Sequence, residues 1–167
     1  KSKLNRFIQK YNLGGNVNSV KWTSESGTDT LTTKFITPDK SLLGTVKVDK
    51  ISFENADLGV YQTDQLQKLL GVLGDDVSLD LTKAGDRAVS LNVKNDNVSV
   101  DYVLSDLSVI PDPPSLKKLP DFQTKVKLDS KFIDTFIKGK SALSDVDMFT
   151  FVNKNGRVEA IIGYATT

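Results

Sequence analysis

The chain opens with apolar residues at Leu4, Phe7, Ile8 and Tyr11, an i, i+3, i+4, i+7 spacing that predicts a helix over residues 1–12 with one buried face. Gly14-Gly15 should stop it. From Asn16 to Lys50 the period changes to that of strands. β-branched and aromatic runs at 20–22, 31–36 and 43–48, separated by Ser26-Gly27-Thr28-Asp29 and Pro38-Asp39 turns, predict three antiparallel strands, and 58–61 a short fourth. Thr63-Asp64 then offers an N-cap for a second amphipathic helix, with Leu66, Leu69, Leu70 and Leu73 on one face and Gly74 as its stop.

Strict alternation follows, with Val77, Leu79 and Leu81, then Val89, Leu91 and Val93, then Val98 and Val100 in phase with Tyr102 and Leu104. Turns at Lys83-Ala84-Gly85-Asp86 and Asn95-Asp96-Asn97 make this a three-stranded meander with one wet face. Four of the five prolines lie in VIPDPPSLKKLP, residues 109–120. Proline fixes φ and lacks a donor, so this stretch should be an extended connector and a domain boundary. Beyond it, FQTKVKL (122–128) alternates as a strand. DSKFIDTFIKGKSAL reads as a helix burying Phe132, Ile133, Phe136 and Ile137, and 148–152 with 158–162 as a hairpin about Asn153-Lys154-Asn155-Gly156.

The order of elements repeats: helix and three strands (1–50), strand, helix and three strands (58–104), strand, helix and two strands (122–163). Two such units make an α+β domain in which both helices cover one apolar face of the sheets. The expected organisation is a first domain at 1–108, a connector at 109–120, and the first half of a second domain at 121–167. A half-built domain would leave strand edges and core exposed, so the natural polypeptide is expected to run on past Thr167. Its start at Lys1 rather than Met fits a fragment or processed chain. The alternative, in which the third unit closes on the first domain as a single fold, stays open.

With 167 residues, 38% hydrophobic and 26% charged, the chain has apolar material for real cores. No apolar run approaches the roughly 18 residues of a membrane span, and nothing resembles a secretory signal. A cytoplasmic location is the expectation, and Asn97-Val98-Ser99 is then a chance sequon. There is no Cys and no His, which removes disulfides, thiolate nucleophiles, the usual zinc sites and Ser-His-Asp triads. No cofactor or metal is expected. Asp75-Asp76 and Asp145 with Asp147 could in principle hold Mg²⁺ for phosphoryl chemistry. Each sits in a predicted turn, where Asp serves the turn itself, and no Gly-rich phosphate cradle accompanies them. A non-enzymatic protein follows.

The net charge of +1 conceals segregation: nine basic and five acidic side chains in residues 1–56, four and ten in 57–112, nine and six in 113–167. Lys3, Arg6 and Lys10 form a stripe about 115° from the apolar one on the first helix, by ~100° of rotation per residue. Lys131 and Lys138 fall opposite the apolar face of the third helix, and Lys68 lies off that of the second. Solubilising faces are the commoner meaning of such stripes, yet three uncompensated cations near a helix N-terminus oppose its dipole. Lys117, Lys118 and Lys140 are assigned to connector or loop.

VYQTDQLQKLLGVLGDDVSLDL, IPDPPSLKKLP and FQTKVKLDSKFIDTFIKGKSAL together resemble the sliding clamps, or DNA polymerase processivity factors, of T-even bacteriophages and their relatives. They match, in order, that family's strand end, Leu-rich helix and acidic turn, its Pro-rich connector, and the opening of its second domain. The resemblance implies a DNA-clamp fold, with two similar domains per protomer and a head-to-tail homotrimeric ring closed by β-augmentation. Its helices line a hole around duplex DNA. It also implies a DNA polymerase and a clamp loader as partners. Under it, Lys3, Arg6, Lys10, Lys68, Lys131 and Lys138 would face phosphates through water, because base contacts would arrest a sliding ring. Val109, Ile110 and Pro111 are the candidates for docking partner peptides. The competing expectation is a non-enzymatic β-rich structural or peptide-binding module of a phage particle, whose cations merely keep helices soluble. A Mg²⁺-dependent nuclease ranks third.

Overall fold

The computed structural model describes residues 1–51, 53–115, 118, 121–122 and 124–163. The chain divides into two compact units, Lys1–Ser115 and Leu116–Thr167. Both mix helices with antiparallel sheets. No helix among the described residues is long and apolar enough to cross a membrane.

In the first unit, helix α1 (Ser2–Asn12) buries Leu4, Phe7, Ile8 and Tyr11, the whole apolar stripe. It stops at Leu13, whose backbone is left-handed (φ 51°), and Gly14 and Gly15 carry the chain onward at φ 70° and 98°. Glycine adopts such angles without the steric cost of a Cβ. Strands β1 (Val20–Glu25), β2 (Thr30–Ile36), β3 (Leu43–Asp49) and β4 (Ala56–Val60) form an antiparallel sheet in the order β3-β2-β1-β4. Helix α2 (Thr63–Val72) leads to β5 (Ser78–Ala84), β6 (Arg87–Lys94) and β7 (Ser99–Val103), a meander in sequential order. Both helices and both sheets contribute to one core. At its centre Phe7, Tyr11 and Trp22 meet edge to edge or edge to face, with centroids 5.4–6.4 Å apart.

A backbone bridge ties the two sheets together. Ser105 N–H donates to the Gly59 carbonyl at 2.9 Å, bridging β4 to the segment after β7. A Cβ at position 59 would overlap the Ser105 carbonyl oxygen and crowd Ile110, so this approach requires glycine.

Three local expectations are corrected in this unit. Thr63-Asp64 does not cap α2: the N-cap position is Gln62 and has no side-chain cap. Thr63, fully buried, instead donates from Oγ1 to the Asn18 carbonyl at 2.9 Å, because tertiary partners claim its hydroxyl. The alternation in β6 shifts phase, with Ala88 buried rather than Val89. The cause is a register irregularity at Thr82/Lys83, which moves the pairing from Ser90 to Ala88. Finally, the first connector residue, Val109, departs from the extended form, whereas Ile110 keeps it (φ −88°, ψ 133°). Leu107–Val109 is a 3-10 turn, capped by Asp106 accepting from Ser108 N–H at 2.9 Å. Leu116, Lys117, Leu119 and Pro120 of the expected connector lie outside the described residues.

In the second unit, helix α3 (Ser130–Ala142) is capped by Asp129, which accepts from Phe132 N–H at 2.7 Å. Strands β8 (Phe149–Lys154) and β9 (Arg157–Ile162) form a hairpin through Asn155-Gly156, both at positive φ (53° and 79°). That is the geometry Asn-Gly favours in two-residue hairpin turns. Two expectations fail here. Residues 121–122 and 124–129 form no strand, since alternation marks a face but a ladder needs a partner. Nor does α3 bury its stripe: Ile133 is 45% and Ile137 56% exposed. A two-stranded hairpin is too narrow to cover it.

Candidate nucleic-acid interface

The layer formed by α1 and α2 is built by contacts at both ends. Tyr11, near the end of α1, shares a 3.1 Å hydrogen bond between its hydroxyl and that of Thr63, the first residue of α2. Lys1 Nζ donates to the carbonyl of Leu73, just past the end of α2, at 2.5 Å. The helices therefore run antiparallel. Both turn their apolar arcs into the same core, which leaves their polar arcs toward solvent on one side of the unit.

Lys3, Arg6 and Lys10 of α1 and Lys68 of α2 are all exposed on that layer. Arg6, Lys10 and Lys68 have no ion pair among the described residues, whereas Lys3 donates to the Lys50 carbonyl at 3.3 Å. The layer's single carboxylate is Asp64. It accepts from Asn12 Nδ2 at 3.1 Å and Asn18 Nδ2 at 2.9 Å, which fastens the start of α2 to the end of α1. Sequence reasoning assigned Asp64 to a helix cap. Its bridging role depends on Asn12 and Asn18, some fifty positions away, and only an asparagine beside each predicted element boundary hinted at it.

Charge is therefore divided by layer as well as along the chain. The two helices hold four cations and one carboxylate, while the rest of residues 1–115 holds nine cations and fourteen carboxylates. The sheets and loops meet much of their own charge locally. Lys21–Asp57, Arg87–Asp106 and Lys94–Asp80 lie 3.6, 2.8 and 2.7 Å apart. Arg87 and two bonds from Ser108 hold the Asp106 carboxyl below its usual range, the Ser108 bonds being the larger cause. The two helices thus carry net charge +3 and the remainder of residues 1–115 net charge −5.

In the second unit Lys131 and Lys138 are exposed on α3, about 100–160° round the helix from Phe132 and Phe136 at ~100° per residue. Lys140 is corrected from a loop to the last turn of α3, where Nζ donates to the Ser144 carbonyl at 3.2 Å. Among the candidate docking residues, Val109 is 58% exposed and Pro111 exposed, but Ile110 is only 8% exposed and packs beside Gly59. Ile110 anchors the connector rather than offering it. Nearby, a groove of about 280 Å³ lies against the outer face of the first sheet, lined by Lys21, Thr23, Thr32, Lys34, Asp112 and Pro113. Asp75 and Asp76 border a cavity of about 620 Å³ at the start of α1 together with Lys1, Lys3 and Lys50. Among the described residues, no three carboxylates cluster to hold a metal.

The chain matches no protein-family model and no curated protein.

Proposed function

We propose that this protein is a sliding clamp of the T-even bacteriophage type, a non-enzymatic ring that encircles duplex DNA and tethers a DNA polymerase to it. The DNA-clamp fold, the homotrimer and the clamp loader belong to the same proposal. The observation that carries it is the α1–α2 layer, with Lys3, Arg6, Lys10 and Lys68 exposed and its only carboxylate engaged by two asparagines.

Physics gives such a layer a narrow range of uses. Flexible cations on a helix surface attract phosphates without fixed geometry, so the attraction is weak, indifferent to sequence and sensitive to salt. Lys131 and Lys138 of α3 would extend the lining, and Val109 and Pro111 would offer exposed connector surface to a partner peptide.

Fluorescence anisotropy of a labelled random-sequence duplex across a salt series tests the reading. Affinity should fall steeply with salt, and the double charge reversal Arg6→Glu with Lys10→Glu should lower the slope of log K against log salt by about 2, at ~0.9 per phosphate contact. Both side chains are exposed, so the circular dichroism should not change. Binding that ignores salt, or that survives the reversal intact, overturns the reading in favour of a structural module.

A further inference from the structure

Asp64 and Lys68 stand four residues apart on α2 with the acid nearer the N-terminus, the spacing and order that favour an ion pair along a helix. The pair does not form. Lys68 is exposed and has no ion pair among the described residues. Both oxygens of the Asp64 carboxylate are bonded elsewhere, Oδ1 accepting from Asn12 Nδ2 and Oδ2 from Asn18 Nδ2.

The two amides are fixed in the orientation that does this. Asn12 Oδ1 accepts from Gly15 N–H at 2.8 Å and Asn18 Oδ1 from Asp64 N–H at 3.0 Å, so a backbone donor claims each oxygen and leaves the amide nitrogen to face the acid. Asn12 Nδ2 also donates to the Val17 carbonyl at 3.0 Å, and the residue is 4% exposed. Nor is Asp64 spent on capping its own helix. The N–H groups at the start of α2 are met from other elements: Gln62 by the Tyr102 hydroxyl at 3.0 Å, Thr63 by the Asn18 carbonyl at 2.9 Å, and Asp64 by the Asn18 side chain.

A carboxylate beside cations ordinarily neutralises one of them, whereas amide donors satisfy its oxygens without consuming a positive charge. We infer that Asn12 and Asn18 are positioning residues for the cationic layer, holding Asp64 away from Lys68 so that Lys68 stays free to meet phosphate. The inference rests on the proposed duplex binding. It accounts for a free cation on α2, a helix whose single lysine and single aspartate otherwise cancel. Because the asparagines act through Asp64, removing the acid must undo their loss.

Asn18 is exposed, and Asn18→Ala opens Oδ2 to Lys68 while the Asn12 bond stays in place. In the salt series with labelled duplex, the whole chain carrying Asn18→Ala should lose up to ~0.9, one phosphate contact, from the slope of log K against log salt. Asn18→Ala combined with Asp64→Asn should regain it. A slope that Asn18→Ala leaves unchanged overturns the inference, and so does a loss that Asp64→Asn fails to restore, which marks a packing role. A readout without DNA keeps the inference separate from the clamp reading. The ε-methylene NMR signal of Lys68 should move on Asp64→Asn in the Asn18→Ala background and far less in the native one. An equal or larger movement in the native background means that Asp64 already reaches Lys68 and overturns the inference, and that comparison needs no change at Asn18. Absent duplex binding with the expected NMR pattern leaves the hold on Asp64 standing and removes the clamp reading alone.

Discussion

Helices α1 and α3 carry the same kind of apolar stripe, yet Leu4, Phe7, Ile8 and Tyr11 are at most 1% exposed while Ile133 and Ile137 are about half exposed. The difference lies in what surrounds each helix. α1 rests on a four-stranded sheet and has α2 alongside, whereas α3 has a two-stranded hairpin. An amphipathic spacing therefore specifies a face that seeks cover, and the supply of cover depends on the number of elements that reach it.

The strongest way to break this comparison is truncation of matched aromatics. Phe7→Ala should cost about 3–5 kcal/mol, as for a fully enclosed ring. Phe149→Ala should cost about half of that or less, since its ring already keeps half its contact with water. Urea unfolding followed by circular dichroism reads both, and equal losses would contradict the contrast. Glycine sharpens the comparison next. Gly59→Ala forces backbone apart at the junction of two sheets and should cost about 1–3 kcal/mol. Gly139→Ala meets only the Cδ1 tip of Ile162, at 2.9 Å, and gains helix propensity of up to ~1 kcal/mol. It should stay within about 1 kcal/mol of neutral in the same assay.

The smallest effect is confined to alkaline pH. Burial pushes the Tyr11 phenol well above its ordinary value of 10.0, against the opposing bonds from Thr63 and Trp22. The native state then keeps a proton that the unfolded chain releases. The contribution to stability is complete below pH 10 and declines as pH rises beyond it. The first unit should show this decline in alkaline unfolding curves, and Tyr11→Phe should lessen it, leaving the smaller part that burial of Tyr102 contributes in the same direction. The described tyrosines all lie in that unit, so the second should show no such decline from a described tyrosine.

Much of the architecture was legible residue by residue. The helices at 2–12, 63–72 and 130–142, the meander and the Asn-Gly hairpin follow from spacing and turn chemistry that act over a few positions. The exposed cations of α1 were legible for the same reason, because a polar stripe is fixed by its angle from the apolar one. What escaped was non-local. Asp64 bonds Asn12 and Asn18 rather than capping its own helix, the β6 phase shifts at an irregularity, and Ile110 is drawn inward beside Gly59. Residues 122–128 alternate like a strand but have no ladder among the described residues.

The sequence alone decided which segments coil and which extend, and which side of each is apolar, because those choices are made by neighbours within a turn or two of the chain. Only the tertiary structure decided which apolar sides would be dry. It gathered four cations onto one helix layer, occupied that layer's lone carboxylate, and joined two sheets at a position where only glycine fits. Burial and charge balance are sums over groups distant in sequence, and no local pattern contains those sums.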